Sequence, residues 1–226
     1  MPWLGYFERI ARSDVHVVLD HVQFEKNGFT NRNKIRTKDG LLWLTIPLAT
    51  KGRFGNLEIH DLEFASGSKW KEKHWSSLKM GYSRSTCFYE FNVPYEQIYS
   101  DAWIGFMPFV RSLLRQHLLD LGISTPLIFS SEISANGFKS DLILDICESL
   151  GAKTYLSGTQ GRAYLNDEAF FNAGISVEYQ DYKHPVYAQA GPGFQSHLGI
   201  FDLLFNHGKN SLKIIMADHE HRVARK

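Results

Sequence analysis

The 226-residue sequence holds only two cysteines, Cys87 and Cys147, with no C-x-x-C step between or around them. That scarcity excludes a disulfide framework and a zinc ribbon as sources of stability, and it suits a reduced, cytoplasmic chain. One-sided charge is missing too, since 25 Lys and Arg stand against 24 Asp and Glu. Such a balance predicts no nucleic-acid partner and no chain-wide attraction to an anionic surface. No apolar run approaches the length of a bilayer span, and the start, Met1-Pro2-Trp3-Leu4-Gly5-Tyr6-Phe7-Glu8, lacks the basic-then-apolar order of an export signal. Membrane insertion is therefore not expected. What the sequence has in quantity is rings: 16 Phe, 10 Tyr and 5 Trp. They predict a packed core with ring-lined pockets and exclude a disordered or fibrous chain.

Periodicity organises the chain into a single domain over 1–226. Tyr6 to Arg12 reads as a helix feeding the β-branched run Val15 to Leu19. Phe29 to Arg36 and Leu41 to Pro47 flank Thr37-Lys38-Asp39-Gly40, where the Asp-Gly step favours a tight reversal and hence a hairpin. Leu57 to His60 alternates like a half-buried strand. Helices are predicted over Lys69–Lys79 and Trp103–Leu121, with Gly122 closing the second. Beyond them come strand 127–129, helix 139–150, strand 154–156, helix 167–173, strand 175–179 and a last helix over 198–206. That alternation predicts an α/β fold, a mostly parallel Rossmann-like sheet with helices on both faces, carrying a small antiparallel β excursion at about residues 28–60.

Ligands of open α/β sheets gather beyond the carboxyl ends of the strands. Asp20 ends the first strand and is a candidate catalytic acid or base. Ser157-Gly158-Thr159-Gln160-Gly161-Arg162 follows a later one, where Gly158 and Gly161 let backbone approach a ligand and Arg162 suits phosphate or carboxylate. An ordinary strand-to-helix turn would use the same glycines for geometry alone. Asn31-Arg32-Asn33-Lys34 is polar within a predicted strand, which fits either directed binding of a planar anion or an edge strand blunted by charge. His184 titrates near neutrality beside Pro185 and is a candidate general base, with Tyr187 and Gln189 in the same polar stretch; a structural histidine is the plainer alternative. Trp70, Trp75 and Cys147 read as core. Asp218-His219-Glu220-His221 reads as a polar terminus, and no metal ligand set is expected.

Several segments in one order resemble the bacterial WbqC-like family: Pro2-Trp3-Leu4-Gly5-Tyr6-Phe7, Leu19-Asp20-His21-Val22-Gln23-Phe24, Asn31-Arg32-Asn33-Lys34-Ile35, Tyr155-Leu156-Ser157-Gly158, His184-Pro185-Val186-Tyr187 and Phe201-Asp202-Leu203-Leu204-Phe205-Asn206. Family members commonly carry an apolar strand and a Gln-Pro step ahead of the Pro-Trp-Leu-Gly segment, inside which this sequence begins. His21 also stands where a second acidic residue is expected. The resemblance implies a place in O-antigen or other surface-glycan biosynthesis. Its activity would be acyl or aminoacyl transfer to a nucleotide-linked sugar, with His184 as base and an anionic small molecule as substrate. Nucleotidyl transfer, ATP-dependent ligation and a non-catalytic binding subunit of a glycan-assembly complex are the alternatives, and no cofactor is assigned.

Overall fold

The structure is a computed structural model that describes residues 1–53, 55 and 57–223, the side chains of 220–223 excepted. Helix α1 (Leu4–Ala11) leads into β1 (His16–Val18), and the hairpin β2 (Arg32–Thr37) and β3 (Gly40–Thr45) follows. Three helices come next: α2 (Trp70–Tyr82), α3 (Phe88–Ser100) and α4 (Phe106–Leu121). Then β4 (Leu127–Phe129), α5 (Ser140–Ser149), β5 (Thr154–Ser157), α6 (Asp167–Asn172) and β6 (Ser176–Tyr179) alternate before α7 (Phe201–His207) and α8 (Ser211–Val223). The molecule is mixed α/β. Among the described residues the strands form three two-stranded sheets: parallel β1–β4, antiparallel β2–β3 and parallel β5–β6. The expected continuous sheet is therefore replaced by two parallel pairs with no ladder between them, because no strand lies in hydrogen-bonding reach of both.

Helix α4 shows how sequence becomes position. Its apolar residues recur every three and four places, so Phe106, Phe109 and Leu113 share one buried side and Leu114, Leu118 and Leu121 another, and Gly122 ends it in the left-handed conformation at φ 70°. Pro108 sits in the first turn, where its missing N–H costs nothing. One end of α4 packs with α2, α3 and α7 in a ring-rich core that includes Trp70, Trp75, Tyr82, Tyr95, Phe109 and Phe205. Its other end meets α1, α7 and α8 through Leu114, Leu118, Phe7, Ile10 and Leu203.

The alternating pattern of Leu57 to His60 is not a strand. Glu58 makes one isolated bridge with Gln23, and Ile59–Asp61 turns as a 3-10 helix. Two helices go beyond the sequence reading. Helix α3 carries Pro94 in its interior, and α8 extends the presumed frayed terminus as helix to Val223, with the side chains of Glu220 and His221 outside the described residues.

Candidate functional site

The β2–β3 hairpin is anchored on several sides. Arg36 N–H donates to the Tyr82 hydroxyl of α2 at 3.0 Å, Gly199 N–H donates to the Lys34 carbonyl at 3.0 Å, and Asn33 Nδ2 donates to the Met1 carbonyl at 2.7 Å. These ties hold β2 over the amino-terminal segment and leave a cavity of about 610 Å³ beneath it. The floor is α4, through Phe106, Phe109, Val110, Leu113 and Leu114, with His74 of α2 and Tyr99 of α3 beside it. The rim is polar and comes from four places in the chain: Asn31–Asn33, Arg9 of α1, Gly158–Gln160 after β5, and His197.

Two guanidinium groups reach this cavity. Arg9 lies over the Tyr6 ring at 5.7 Å, and no carboxylate pairs with it among the described residues. Arg32 donates through Nε to the Gly28 carbonyl at 3.1 Å and lies 4.7 Å from the Trp43 ring centre, again without an acidic partner among the described residues. Burial pushes the Met1 ammonium down to about 5, so that wall carries no charge at neutral pH. Two cations with unspent hydrogen-bond donors beside apolar walls form a place for an anion. Gly158 is part of the fit, since a Cβ there would stand 2.5 Å from Arg9 Nη1. Gly5 serves likewise: a Cβ at that position would enter the Trp3 ring, which lies across it.

His197 is the histidine on the wall, held at φ 60°, a left-handed conformation uncommon for a residue with a side chain. Its ring stacks on Trp3 at 5.9 Å and 22°, and its Nδ1 sits 2.8 Å from Ser196 Oγ. His184 stands behind it, with ring centres 4.8 Å apart. The His197 backbone N–H donates to His184 Nε2 at 3.1 Å, so Nε2 is the unprotonated nitrogen, and Nδ1–H donates to the Pro185 carbonyl at 2.9 Å. Burial pushes the His184 imidazolium below its usual range, and the nearby His197 adds to this against the opposing Pro185 carbonyl.

A model of the WbqC-like protein family matches residues 1–214. The chain belongs to that family. An uncharacterized protein of Mycobacterium tuberculosis, Rv1507c, is 34% identical to this WbqC-like chain over 214 residues, covering 92% of the chain and 90% of that protein. No solved structure matches.

Of the residues singled out in this WbqC-like sequence, Asn31, Arg32, Asn33 and Gly158 line the cavity. Asn31 also donates to the Ile46 carbonyl at 2.8 Å, tying β2 to the residue after β3. The others lie elsewhere, each for a visible reason. Asp20 is fully buried at the ends of β1 and β4, where Ser131 N–H, Ser131 Oγ, Ser130 Oγ and Arg111 all donate to it. Burial alone would raise its pKa, but these bonds outweigh that and hold the carboxyl below its ordinary range. Ser157 is buried and donates to the Gly158 carbonyl at 3.1 Å; Gly161 is there because its Cβ would meet Ser157 Oγ. Arg162 covers the Tyr179 ring at 4.2 Å, and Lys34 covers Trp43 at 5.1 Å. Tyr187 and Gln189 both donate to Asp202 Oδ2, at 2.9 and 2.7 Å, while Arg36 donates to Gln189 Oε1 at 3.0 Å and the Gly193 carbonyl at 2.8 Å. That network fixes the irregular stretch 180–199 that presents His197. Arg9 and His197 went unread in sequence; the one available signal was the polar Ser196-His197 pair closing a glycine-rich stretch just ahead of α7.

Proposed function

We propose that this chain is a transferase of bacterial surface-glycan assembly that binds an anionic, nucleotide-linked sugar in the cavity and moves an acyl or aminoacyl group from an activated carrier such as a thioester, whose thiol leaves, onto a sugar hydroxyl or amine that gives its proton to a base. The carrying observation is the pair Arg9 and Arg32, two guanidinium groups without carboxylate partners among the described residues, on the rim of one cavity of about 610 Å³. In this reading the guanidinium groups and the Gly158 turn hold the phosphates. The family's association with surface-glycan gene clusters supports the substrate class. The lone pair of His184 is spent on the His197 amide, so the base is His197, whose Nε2 has no protein partner among the described residues, and His184 fixes its backbone. The two parallel strand pairs are treated as the halves of a Rossmann-like arrangement flanking the cavity, with Asp20 a structural carboxylate.

Thermal-shift screening against nucleotide sugars, acyl-CoA, free nucleotides and ATP with Mg²⁺ tests the reading. A nucleotide sugar at a hundredfold over its Kd adds about 2.7 kcal/mol, a readable rise in Tm that Arg9→Ala and Arg32→Ala should both erase. Stabilisation by ATP and Mg²⁺ with release of pyrophosphate would replace transfer by nucleotidyl transfer or ligation, which the loops at the carboxyl ends of parallel strands also suit. No response to any of these ligands would turn the reading to a binding subunit.

A further inference from the structure

The near-neutrality of the whole chain conceals a segregation. Residues 24–53 carry seven cations, Lys26, Arg32, Lys34, Arg36, Lys38, Lys51 and Arg53, against two acids, Glu25 and Asp39, so the rest of the chain is net acidic. The same stretch bares its apolar side chains: Phe29 is 72% exposed, Leu41 45%, Leu42 38% and Trp43 40%. The register explains how they meet. Lys34 faces Trp43 and Arg36 faces Leu41 across β2–β3, so Lys34, Trp43 and Leu41 share the outer face, and Phe29 brings its ring to 5.9 Å from Trp43. A lone exposed leucine means nothing, but aromatic and aliphatic groups gathered among cations on one hairpin face form a surface patch that needs an explanation.

We propose that the outer face of the β2–β3 hairpin is a peripheral docking surface for an anionic lipid bilayer. Charge complementarity chooses the occupant: Lys34 and Lys38 meet lipid phosphates while Phe29, Trp43 and Leu41 enter the boundary between headgroups and acyl chains, whereas Leu42, paired with Ile35, points to the other side of the hairpin and Arg36 is buried against Gln189. Single-stranded nucleic acid fits the face less well. The Trp43 ring that would stack a base already carries Arg32 and Lys34, and Leu41 offers nothing to a base edge. No helix among the described residues is long and apolar enough to cross a membrane, so attachment here is to a surface. Phe29 and Arg32 belong both to this face and to the cavity rim, which sets a docked bilayer against the cavity mouth.

Co-sedimentation of the full chain with phosphatidylglycerol and with phosphatidylcholine vesicles, at low and high salt, tests the proposal without any substrate, so its outcome is separate from that of the transferase reading. Binding to phosphatidylglycerol that salt weakens, with far less on phosphatidylcholine, is expected. Lys34→Glu with Lys38→Glu should weaken it by about a thousandfold, because each reversal changes the charge by two and each charge near the surface contributes about 1 kcal/mol. Leu41→Ser should weaken it at unchanged charge, and circular dichroism confirms that both variants fold. Equal affinity for the two lipids, no binding to either, tighter binding of a uridine oligonucleotide, or a dimer in light scattering that both variants dissolve would overturn it.

Discussion

The ring-packed floor and the polar rim of the cavity are built from the same chain on opposite principles. The floor rests on a ring-rich core whose side chains have neighbours on all sides: there Phe205 touches the rings of Tyr82, Phe88, Tyr95 and Phe201, and it is fully buried. In the rim, Arg9 and Arg32 keep charges without acidic partners among the described residues, and His197 holds an uncommon backbone conformation beside open space. The floor is where stability resides; the rim gives some up for polar groups left ready to bind. Sites of function are drawn from such under-satisfied regions.

Phe205→Ala attacks the core behind the floor and should cost about 3–5 kcal/mol in denaturant unfolding. Trp3→Ala on the rim should cost far less, because Trp3 is more than a third exposed; equal losses would erase the contrast. His197→Gln should lower turnover of the identified substrate by about two to four orders of magnitude with an almost unchanged melting temperature. His184→Ala should lower both together, since it frees the His197 amide as well as opening a gap. An active, stable His197→Gln protein would remove the base from the rim.

Arg9→Ala should reduce affinity for an anionic ligand by roughly tenfold to a hundredfold in isothermal titration, the scale of a lost charged hydrogen bond. Acid separates the regions more gently. Burial pushes His16 down to about 3 and His74 down to about 4, the Thr45 carbonyl opposing in the second case. The unfolded chain protonates these rings near 6.5 and the native one does not, so stability falls as pH drops from about 6.5 toward about 4, by up to about 1.4 kcal/mol per pH unit for each ring. Burial raises the Asp202 pKa, so native Asp202 takes up its proton before the unfolded chain does and softens the loss at the acid end. His74→Gln should flatten part of that slope in thermal unfolding across pH.

Legibility in sequence followed the same division. Elements whose apolar residues keep a clean period, such as α4, α5 and the hairpin, could be placed within a few residues. Helix α3 could not, because Pro94 interrupts it and rings on several sides blur its stripe, and α8 mixes Lys213, Asp218 and His219 among its apolar positions. The Asn31–Asn33 and Gly158 side of the cavity announced itself as polar residues and glycine where a strand or turn did not need them. Arg9 did not, because on α1 it looks like any solvated helix cation, and only the packing of that helix against the Gly158 turn turns it toward the cavity. Asp20 and Tyr187 misled for the converse reason: polarity in sequence does not say whether a group serves a ligand or a neighbour.

The contact between Arg9 and Gly158 ties two positions 149 residues apart, because the guanidinium occupies the volume a side chain at 158 would need. Their histories are therefore joined. Alanine or serine at 158 would push the Arg9 guanidinium, the far end of a flexible side chain, out of its place on the rim, while shortening residue 9 first passes through a protein whose cavity has lost its cation. Across relatives, glycine at 158 and arginine at 9 should be kept or lost as a pair.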